Sequence, residues 1–374
     1  MNVVFTCGGT GGHINPAIAV ANIWKERYPD SNILFIGGRG NMEEILVPKA
    51  GYELVVMPAF GLARSLSFTG LRNNLLAVKS VLSAIKKCKK VLRDFGADVV
   101  VGTGGYASFP ALYAAKQLKI PTCVHESNAM PGLTTRMVAD WVDKVLVCFS
   151  ESVKYYRHPE KVEVVGMPVR REFIYTKKSE ARKELGLDER PVVVSVFGSQ
   201  GAMAMNEMTA DLFKLEQDGG FPFYHIHAAG SYGWRWMPEY VREKGVDLPN
   251  TPMIDMKEYI YNMPTVMAAA DIVIGRAGAS SCCEIAASGT PCILIPSPNV
   301  TDNHQEKNAR ALEANGAAIV VLENGCTAQK IYDEIMGLLR DTERYRSMSK
   351  ALYSMSVPDS AERLCAEMER LVKK

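Results

Sequence analysis

Short apolar runs bounded by polar and glycine-rich stretches recur along the first part of the chain. They are Val3-Val4-Phe5-Thr6, Ile33-Leu34-Phe35-Ile36, Leu54-Val55-Val56-Met57, Val99-Val100-Val101, Thr122-Cys123-Val124 and Val145-Leu146-Val147-Cys148. Runs this short and this rich in β-branched residues predict buried strands, and the segments between them read as helices. Alternation of the two predicts a parallel sheet covered by helices on both faces. The rhythm breaks at Val164-Val165-Gly166-Met167-Pro168-Val169-Arg170-Arg171-Glu172, where Gly and Pro punctuate a strand end; the interdomain linker is placed there. After a polar, helix-like stretch from Lys177 to Leu187 the series restarts: Val192 to Phe197, Phe223 to Ile226, Ile272 to Ile274, Cys292 to Ile295 and Ala318 to Val321. A second open α/β sheet is predicted. From Pro358 to Lys374, apolar Ala361, Leu364, Cys365, Met368 and Leu371 at helical spacing predict a closing amphipathic helix, whose docking partner periodicity leaves open.

Both series open on a strand that runs into a glycine-rich turn, Gly8-Gly9-Thr10-Gly11-Gly12-His13 in one and Gly198-Ser199-Gln200-Gly201-Ala202 in the other. A further hexad, Gly102-Thr103-Gly104-Gly105-Tyr106-Ala107, follows the fourth strand. Glycine permits positive φ and lets backbone N–H groups converge on an anion beside a helix N-terminus, so these turns predict phosphate handling. A dinucleotide fingerprint fits poorly: Gly37-Gly38-Arg39 stands where an acid should end the second strand, and the Gly-x-Gly-x-x-Gly spacing fails at Ile14. No Lys-Ser/Thr follows the glycines, which excludes a P-loop. Ligands of open α/β sheets sit at the carboxyl ends of the strands, so a cleft between two such domains is the expected site.

Composition adds bounds. The chain has 374 residues, 47% hydrophobic and 22% charged, enough for two cores and ordinary for a globular protein. A net charge of +2 gives no reason to expect nucleic acid. No apolar stretch approaches the roughly 20 residues needed to span a bilayer. Nine cysteines without a Cys-x-x-Cys pair predict buried thiols rather than disulfides or zinc.

Four constellations carry candidate chemistry. His13 follows the first turn at a helix start, where a neutral imidazole can take a proton from an attacking hydroxyl; the plainer alternative is a histidine that only hydrogen-bonds. His125-Glu126-Ser127-Asn128 clusters polar side chains at a strand's carboxyl end, with Glu126 and His125 able to orient substrate hydroxyls or, alternatively, to cap the following turn. Arg276-Ala277-Gly278-Ala279-Ser280-Ser281-Cys282-Cys283-Glu284 opens a second anion-facing helix. Its Glu284 can accept hydrogen bonds from both hydroxyls of a ribose diol, or merely favour the helix dipole. Asp302-Asn303-His304-Gln305-Glu306-Lys307-Asn308 suits a sugar, although helix starts are often polar.

These motifs, in this order and spacing, resemble the bacterial UDP-N-acetylglucosamine–N-acetylmuramyl-(pentapeptide) pyrophosphoryl-undecaprenol N-acetylglucosamine transferases over nearly the whole chain. The resemblance implies an α/β fold of the GT-B type: two Rossmann-like parallel-sheet domains facing a cleft, spanning 1–168 and 169–356, with a helix at 357–374 returning to the first. It implies inverting transfer of N-acetylglucosamine from UDP-N-acetylglucosamine to the C4 hydroxyl of the muramyl sugar of lipid I, giving lipid II, with no cofactor and no metal. His13 is then the catalytic base, with Glu126 the next candidate. Arg170, Ser199, Gln200, Ala279, Ser280, Ser281 and Glu284 are implied at the donor nucleotide, Ile260 and Met263 around the uracil, and His304 and Gln305 at the sugar hydroxyls. Thr10, Gly11, Gly12 and Asn128 are also assigned to donor binding, and Gly104, Gly105, Tyr106 and His125 to the acceptor. Ser127, Met167, Phe109, Phe197 and His304 depart from the residues frequent in the family.

A lipid-linked acceptor implies a membrane-facing surface on the first domain and a peripheral place on the cytoplasmic face of the cell membrane, near other cell-wall synthesis proteins. Leu71, Leu75, Leu76, Val78, Leu82, Ile85 and Leu92, with Lys79, Lys86, Lys87, Lys89, Lys90 and Arg93, form the candidate patch for an anionic membrane surface. An ordinary helix with one core face explains the same periodicity. Two other functions fit parts of the pattern: transfer to diacylglycerol on the same fold, and a non-catalytic nucleotide-sugar binding module that would need the glycine turns but not His13.

Overall fold

The computed structural model describes residues 1–58, 68–105, 107–128, 130–300 and 303–373, with the side chains of 68–78 left out. Two compact units emerge, Met1–Arg170 together with Val357–Lys374, and Arg171–Ser356. In the first, strands β1 (Asn2–Thr6), β2 (Asn32–Gly38), β3 (Glu53–Met57), β4 (Val99–Gly102), β5 (Thr122–Glu126), β6 (Lys144–Val147) and β7 (Val162–Val164) form a parallel sheet in the order β3-β2-β1-β4-β5-β6-β7. In the second, β8 (Val192–Val196), β9 (Tyr224–Ala228), β10 (Ile254–Lys257), β11 (Ile272–Gly275), β12 (Cys292–Leu294) and β13 (Ile319–Val320) are ordered β10-β9-β8-β11-β12-β13.

Each sheet therefore reverses its strand order once, between β1 and β4 and between β8 and β11. The crevice at such a reversal is where helices depart to opposite faces and leave strand ends open to a ligand. Register puts the ends level: Thr6 pairs with Gly102, and Val196 with Gly275. The glycine turns of the sequence thus fall at both switch points.

Side-chain alternation along β1 divides the first core. Val3 and Phe5 join Trp24 and the helix Gly11–Arg27 on one face, while Val4 packs on the other with Leu112 and with Ile85 and Leu92 of the helix Phe68–Phe95. The closing helix Ser360–Val372 settles on the first face: Ala361, Leu364, Cys365, Met368 and Leu371 are buried among Ile14, Val20 and Trp24. Each such side chain taken from water contributes roughly 1.5–3 kcal/mol. The chain re-enters this unit beside its exit, where a Cβ on Gly166 would lie 2.8 Å from Val357 Cβ and the Ser360 hydroxyl donates to the Met167 carbonyl.

β10 has no counterpart among the strands predicted from sequence. It is an edge strand whose Asp255 is exposed and paired with Lys257, so it shows no apolar run. Among the described residues no helix is long and apolar enough to cross a membrane.

Candidate active site

In the first unit the two glycine turns interlock at the switch point. The Thr103 N–H donates to the Thr6 carbonyl (3.0 Å), the Thr103 hydroxyl to the His13 carbonyl (2.7 Å), and the Ser108 hydroxyl to the Thr6 carbonyl (3.0 Å). Gly105, at φ +81°, lies so near Gly8 that a Cβ would come within 2.2 Å of its carbonyl oxygen; Gly104, at φ +106°, leaves space taken by the His13 imidazole, 2.5 Å from where a Cβ would stand. No residue with a side chain fits either place. Packing alone thus accounts for Gly104 and Gly105, which were expected at an acceptor; Tyr106 lies outside the described residues.

His13 sits in the first turn of the helix Gly11–Arg27, half-buried. Its Nδ1–H donates to the Thr103 carbonyl at 3.0 Å, which fixes the tautomer and leaves the Nε2 lone pair as acceptor. Burial pushes its pKa below the ordinary histidine value, opposed by the Glu126 charge, the Thr103 bond and the Glu43 charge. The imidazole is therefore neutral near pH 7, as a base must be. Thr10 caps this helix with extended backbone and no side-chain bond, and no acid occupies the first turn beside Gly11 and Gly12. That end of the helix is electropositive.

The 125–128 turn departs from expectation. Glu126 is buried, and its carboxylate accepts from the Asn128 N–H and Nδ2 (2.9 Å each) and from the Gly132 N–H (2.9 Å). Three hydrogen bonds from its own turn engage it, two on Oε1 and one on Oε2, and hold Asn128 in place. His125 is likewise 1% exposed, its Nε2–H donating to the Gly166 carbonyl at 2.9 Å. It ties β5 to the segment beyond β7 through Nε2, while its buried Nδ1 has no hydrogen-bond partner among the described residues. The apolar face of a β-strand residue is indistinguishable in sequence from a substrate-facing one, which is why the cluster reads as functional.

In the second unit, Ser199 and Gln200 follow β8, and their carbonyls accept the N–H groups of Ser231 (3.2 Å) and Tyr232 (3.1 Å). Gly201 and Gly230 both take positive φ and pack backbone to backbone: a Cβ on Gly201 would meet the Ala229 oxygen at 2.0 Å. Across the switch point, the helix Ala279–Ser288 starts at Gly278 with no side-chain cap and no acid in its first turn. The N–H groups of Ala279, Ser280 and Ser281 thus belong to an uncapped helix start, and Glu284 follows half-buried. Arg276 pairs with Glu323 (2.5 Å) and donates to the Ile295 carbonyl (2.9 Å).

His304 opens the helix His304–Ala314 after Asn303, which takes φ +51°. Gln305 Oε1 accepts from the Ser297 N–H (2.9 Å), and Asn308 Nδ2 donates to the Ala277 carbonyl (3.0 Å). A sugar contact by Gln305 is therefore left to its amide nitrogen. Met263 starts the helix Met263–Ala269 half-buried, whereas Ile260 is 2% exposed. Of the two residues implied around the uracil, Met263 is the more accessible. Arg170 is half-buried at the end of the first unit.

The N-terminal domain of glycosyltransferase family 28 matches residues 3–147, and the C-terminal domain of that family matches residues 192–364. A UDP-N-acetylglucosamine–N-acetylmuramyl-(pentapeptide) pyrophosphoryl-undecaprenol N-acetylglucosamine transferase from Acetivibrio thermocellus is 39% identical, covering 100% of this chain and 99% of its own. Its namesake from Caldanaerobacter subterraneus is 42% identical, with 97% and 98% covered. The chain belongs to this transferase family. Solved structures agree on the fold: Acinetobacter baumannii MurG superposes with a TM-score of 0.70 at 24% identity over 99% of both chains. A UDP-GlcNAc 2-epimerase from Neisseria meningitidis bound to UDP-GlcNAc gives 0.66 at 14% identity, covering 99% and 100%. The two-sheet GT-B glycosyltransferase architecture expected from sequence is thus the observed one.

Two features of this glycosyltransferase had no reading in the sequence. Glu43 is fully buried beneath the first turn, accepting from the N–H groups of Gly9 (3.1 Å) and Gly38 (2.8 Å). In the second unit, the buried Ser195 hydroxyl bridges His225 Nε2 (2.7 Å) and His227 Nδ1 (2.6 Å), and His225 Nδ1 meets Glu216 Oε1 at 2.7 Å. The signal for Glu43 was the acid pair at a helix start just after Gly37-Gly38-Arg39-Gly40. The histidines alternate along β9, where strand periodicity reads only their burial.

Among the candidate membrane patch, the structure divides the apolar set. Ile85 and Leu92 belong to the core, Leu82 is 62% exposed, and the side chain of Leu75 lies outside the described residues. Lys87 Nζ donates to the Val56 carbonyl (2.8 Å) and Lys90 pairs with Asp94 (2.8 Å), while Lys86 is exposed and Lys89 half-buried. Among the described residues of this helix, Ile85 and Leu92 face the core while Leu82 does not.

Proposed function

We propose that this chain transfers N-acetylglucosamine from UDP-N-acetylglucosamine to the C4 hydroxyl of the muramyl sugar of lipid I, forming lipid II with inversion at the anomeric carbon. The observation that carries the reading is His13, neutral, with its tautomer fixed by the Thr103 carbonyl and Nε2 left to accept a proton beside an electropositive helix start. Nε2 takes the C4 hydroxyl proton as that oxygen bonds to the anomeric carbon and the bond from that carbon to the UDP oxygen breaks. The diphosphate leaves with added negative charge. The uncapped helix start at Ala279, Ser280 and Ser281 supplies N–H donors to it, with Ser199, Gln200 and Arg170 completing the donor side. Glu284 accepts from the ribose diol, and His304 and Gln305 address the sugar hydroxyls.

The acceptor is lipid-linked, so the enzyme works as a peripheral protein at an anionic membrane surface. Leu82 with Lys86 and Lys89 on the helix Phe68–Phe95 supports that contact, since an exposed leucine beside cations suits a headgroup layer. Labelled UDP-N-acetylglucosamine offered with lipid I and, separately, with diacylglycerol tests the reading. Label is expected in lipid II; transfer to diacylglycerol alone overturns the acceptor assignment, and transfer to neither overturns the enzyme reading.

A further inference from the structure

The acid that a dinucleotide-binding sheet would place at the end of its second strand is missing from β2, which ends in Gly37-Gly38. A carboxylate nevertheless occupies that neighbourhood. It belongs to Glu43, first residue of the helix Glu43–Lys49, which turns back beneath the strand ends. Oε2 accepts from Gly9 and Oε1 from Gly38, with Asn41 Nδ2 at 3.5 Å from Oε1. The surrounding glycines are shaped to it: a Cβ on Gly37 would stand 2.5 Å from Glu43 Cγ, and one on Gly8 3.0 Å from Oε1. The Gly9 N–H is thereby spent on the protein's own carboxylate. What the turn carries is His13.

Among the described residues, Glu126 from the end of β5, His125 on the same strand, the Thr103 carbonyl from the turn after β4, and Glu43 from below act on His13. Cys7 also adjoins Glu43, and burial, then the Glu43 charge, keeps its thiol protonated. The Glu126 charge acts on His13 more strongly than that of Glu43, but its hydrogen bonds hold its own turn; Glu43 is the acid whose hydrogen bond holds the Gly8–His13 turn.

We propose that Glu43 is a positioning residue for the transfer reaction, its carboxylate holding the Gly8–His13 turn from beneath. This rests on His13 being the base. Glu43→Gln keeps the shape, removes the charge and leaves one of the two N–H groups without an acceptor. The acid limb of the kcat/KM profile reports the base in the free enzyme. Losing a negative charge disfavours the imidazolium, so that limb moves to lower pH, while kcat falls about tenfold to a hundredfold as the turn shifts. Glu43→Asp keeps the charge but not the reach, so kcat falls with the limb near its wild-type position.

A wild-type kcat in Glu43→Gln, or a lowered kcat with an unmoved acid limb, overturns the proposal. Thermal melts of the same full-length samples identify misfolding. If Glu43→Gln does not melt cooperatively, Glu43→Asp decides: a lowered kcat with a wild-type limb supports the role, and a wild-type kcat removes it. His13→Ala assayed alongside separates the two claims, because turnover retained there overturns the base assignment itself, whatever Glu43 does.

Discussion

At the scale of residues, the site is made by lone pairs that are left over once the fold has used the rest. His13 spends Nδ1 on Thr103 and keeps Nε2, whereas Glu126 spends its carboxylate on Asn128 and Gly132. Both stood as candidate bases in the sequence, and only hydrogen-bond accounting separates them. Replacing His13 with Ala should lower kcat roughly a hundredfold to ten-thousandfold. UDP affinity, measured by calorimetry, should change little, since the nucleotide is assigned to the second unit. Glu284→Ala removes an anionic acceptor from the ribose, where hydrogen bonds to a charged group contribute about 1.5–3 kcal/mol, so KM for the donor should rise roughly 10- to 100-fold. An unchanged KM in initial-rate kinetics would leave Glu284 a dipole partner.

At the scale of elements, the proposed donor site rests on a helix start. The helix Ala279–Ser288 has neither a capping side chain nor an acid in its first turn, although both would stabilise it. Leaving the end bare costs some helix stability and frees the N–H groups for an anion. Ser280→Asp should expose this trade directly, with opposite signs in two measurements. The melting temperature should hold or rise, by about 0.3–1 kcal/mol of helix stabilisation, while the donor KM rises by about tenfold or more through repulsion of the diphosphate. The helix Phe68–Phe95 makes a different point: its hydrophobic spacing predicted one apolar face, but Ile85 and Leu92 are consumed by the core and Leu82 is not. Spacing fixes which residues share a face; what covers it depends on the sheet beneath.

At the scale of the whole molecule, two units each carry a sheet that reverses order once, and each offers one crevice to a ligand. Stability should depend on pH through the histidines that the cores keep neutral. His125 and His227 are 1% and 0% exposed, and burial lowers the pKa of both; the His225 charge adds to this for His227, while hydrogen bonds oppose it. The unfolded chain takes up their protons below about pH 6.5 and the folded chain does not. Stability is therefore full above that value and lost as pH falls below it, by up to about 1.4 kcal/mol per pH unit for each histidine. Melting temperatures recorded from about pH 7.5 down to about pH 5 should fall. Replacing His227 with Gln should flatten that slope, and an unaltered slope would place the dependence elsewhere.

The sequence by itself determined the strands, their parallel class, the two-part division and the family, because these follow from local runs of β-branched residues, glycine turns and ordered motifs. It missed β10, whose charged edge has no apolar run, and its periodicity left open where the closing helix docks, which only the family resemblance implied, since an amphipathic face does not name its partner. Tertiary structure alone decided that Glu126 and His125 serve the scaffold, that Arg276 is held by Glu323, and that Glu43 reaches back under a turn thirty-odd residues earlier in the chain. Periodicity records whether a side chain is buried; whether its polar atoms meet backbone or are left for a substrate depends on distant segments, which only the folded chain brings together.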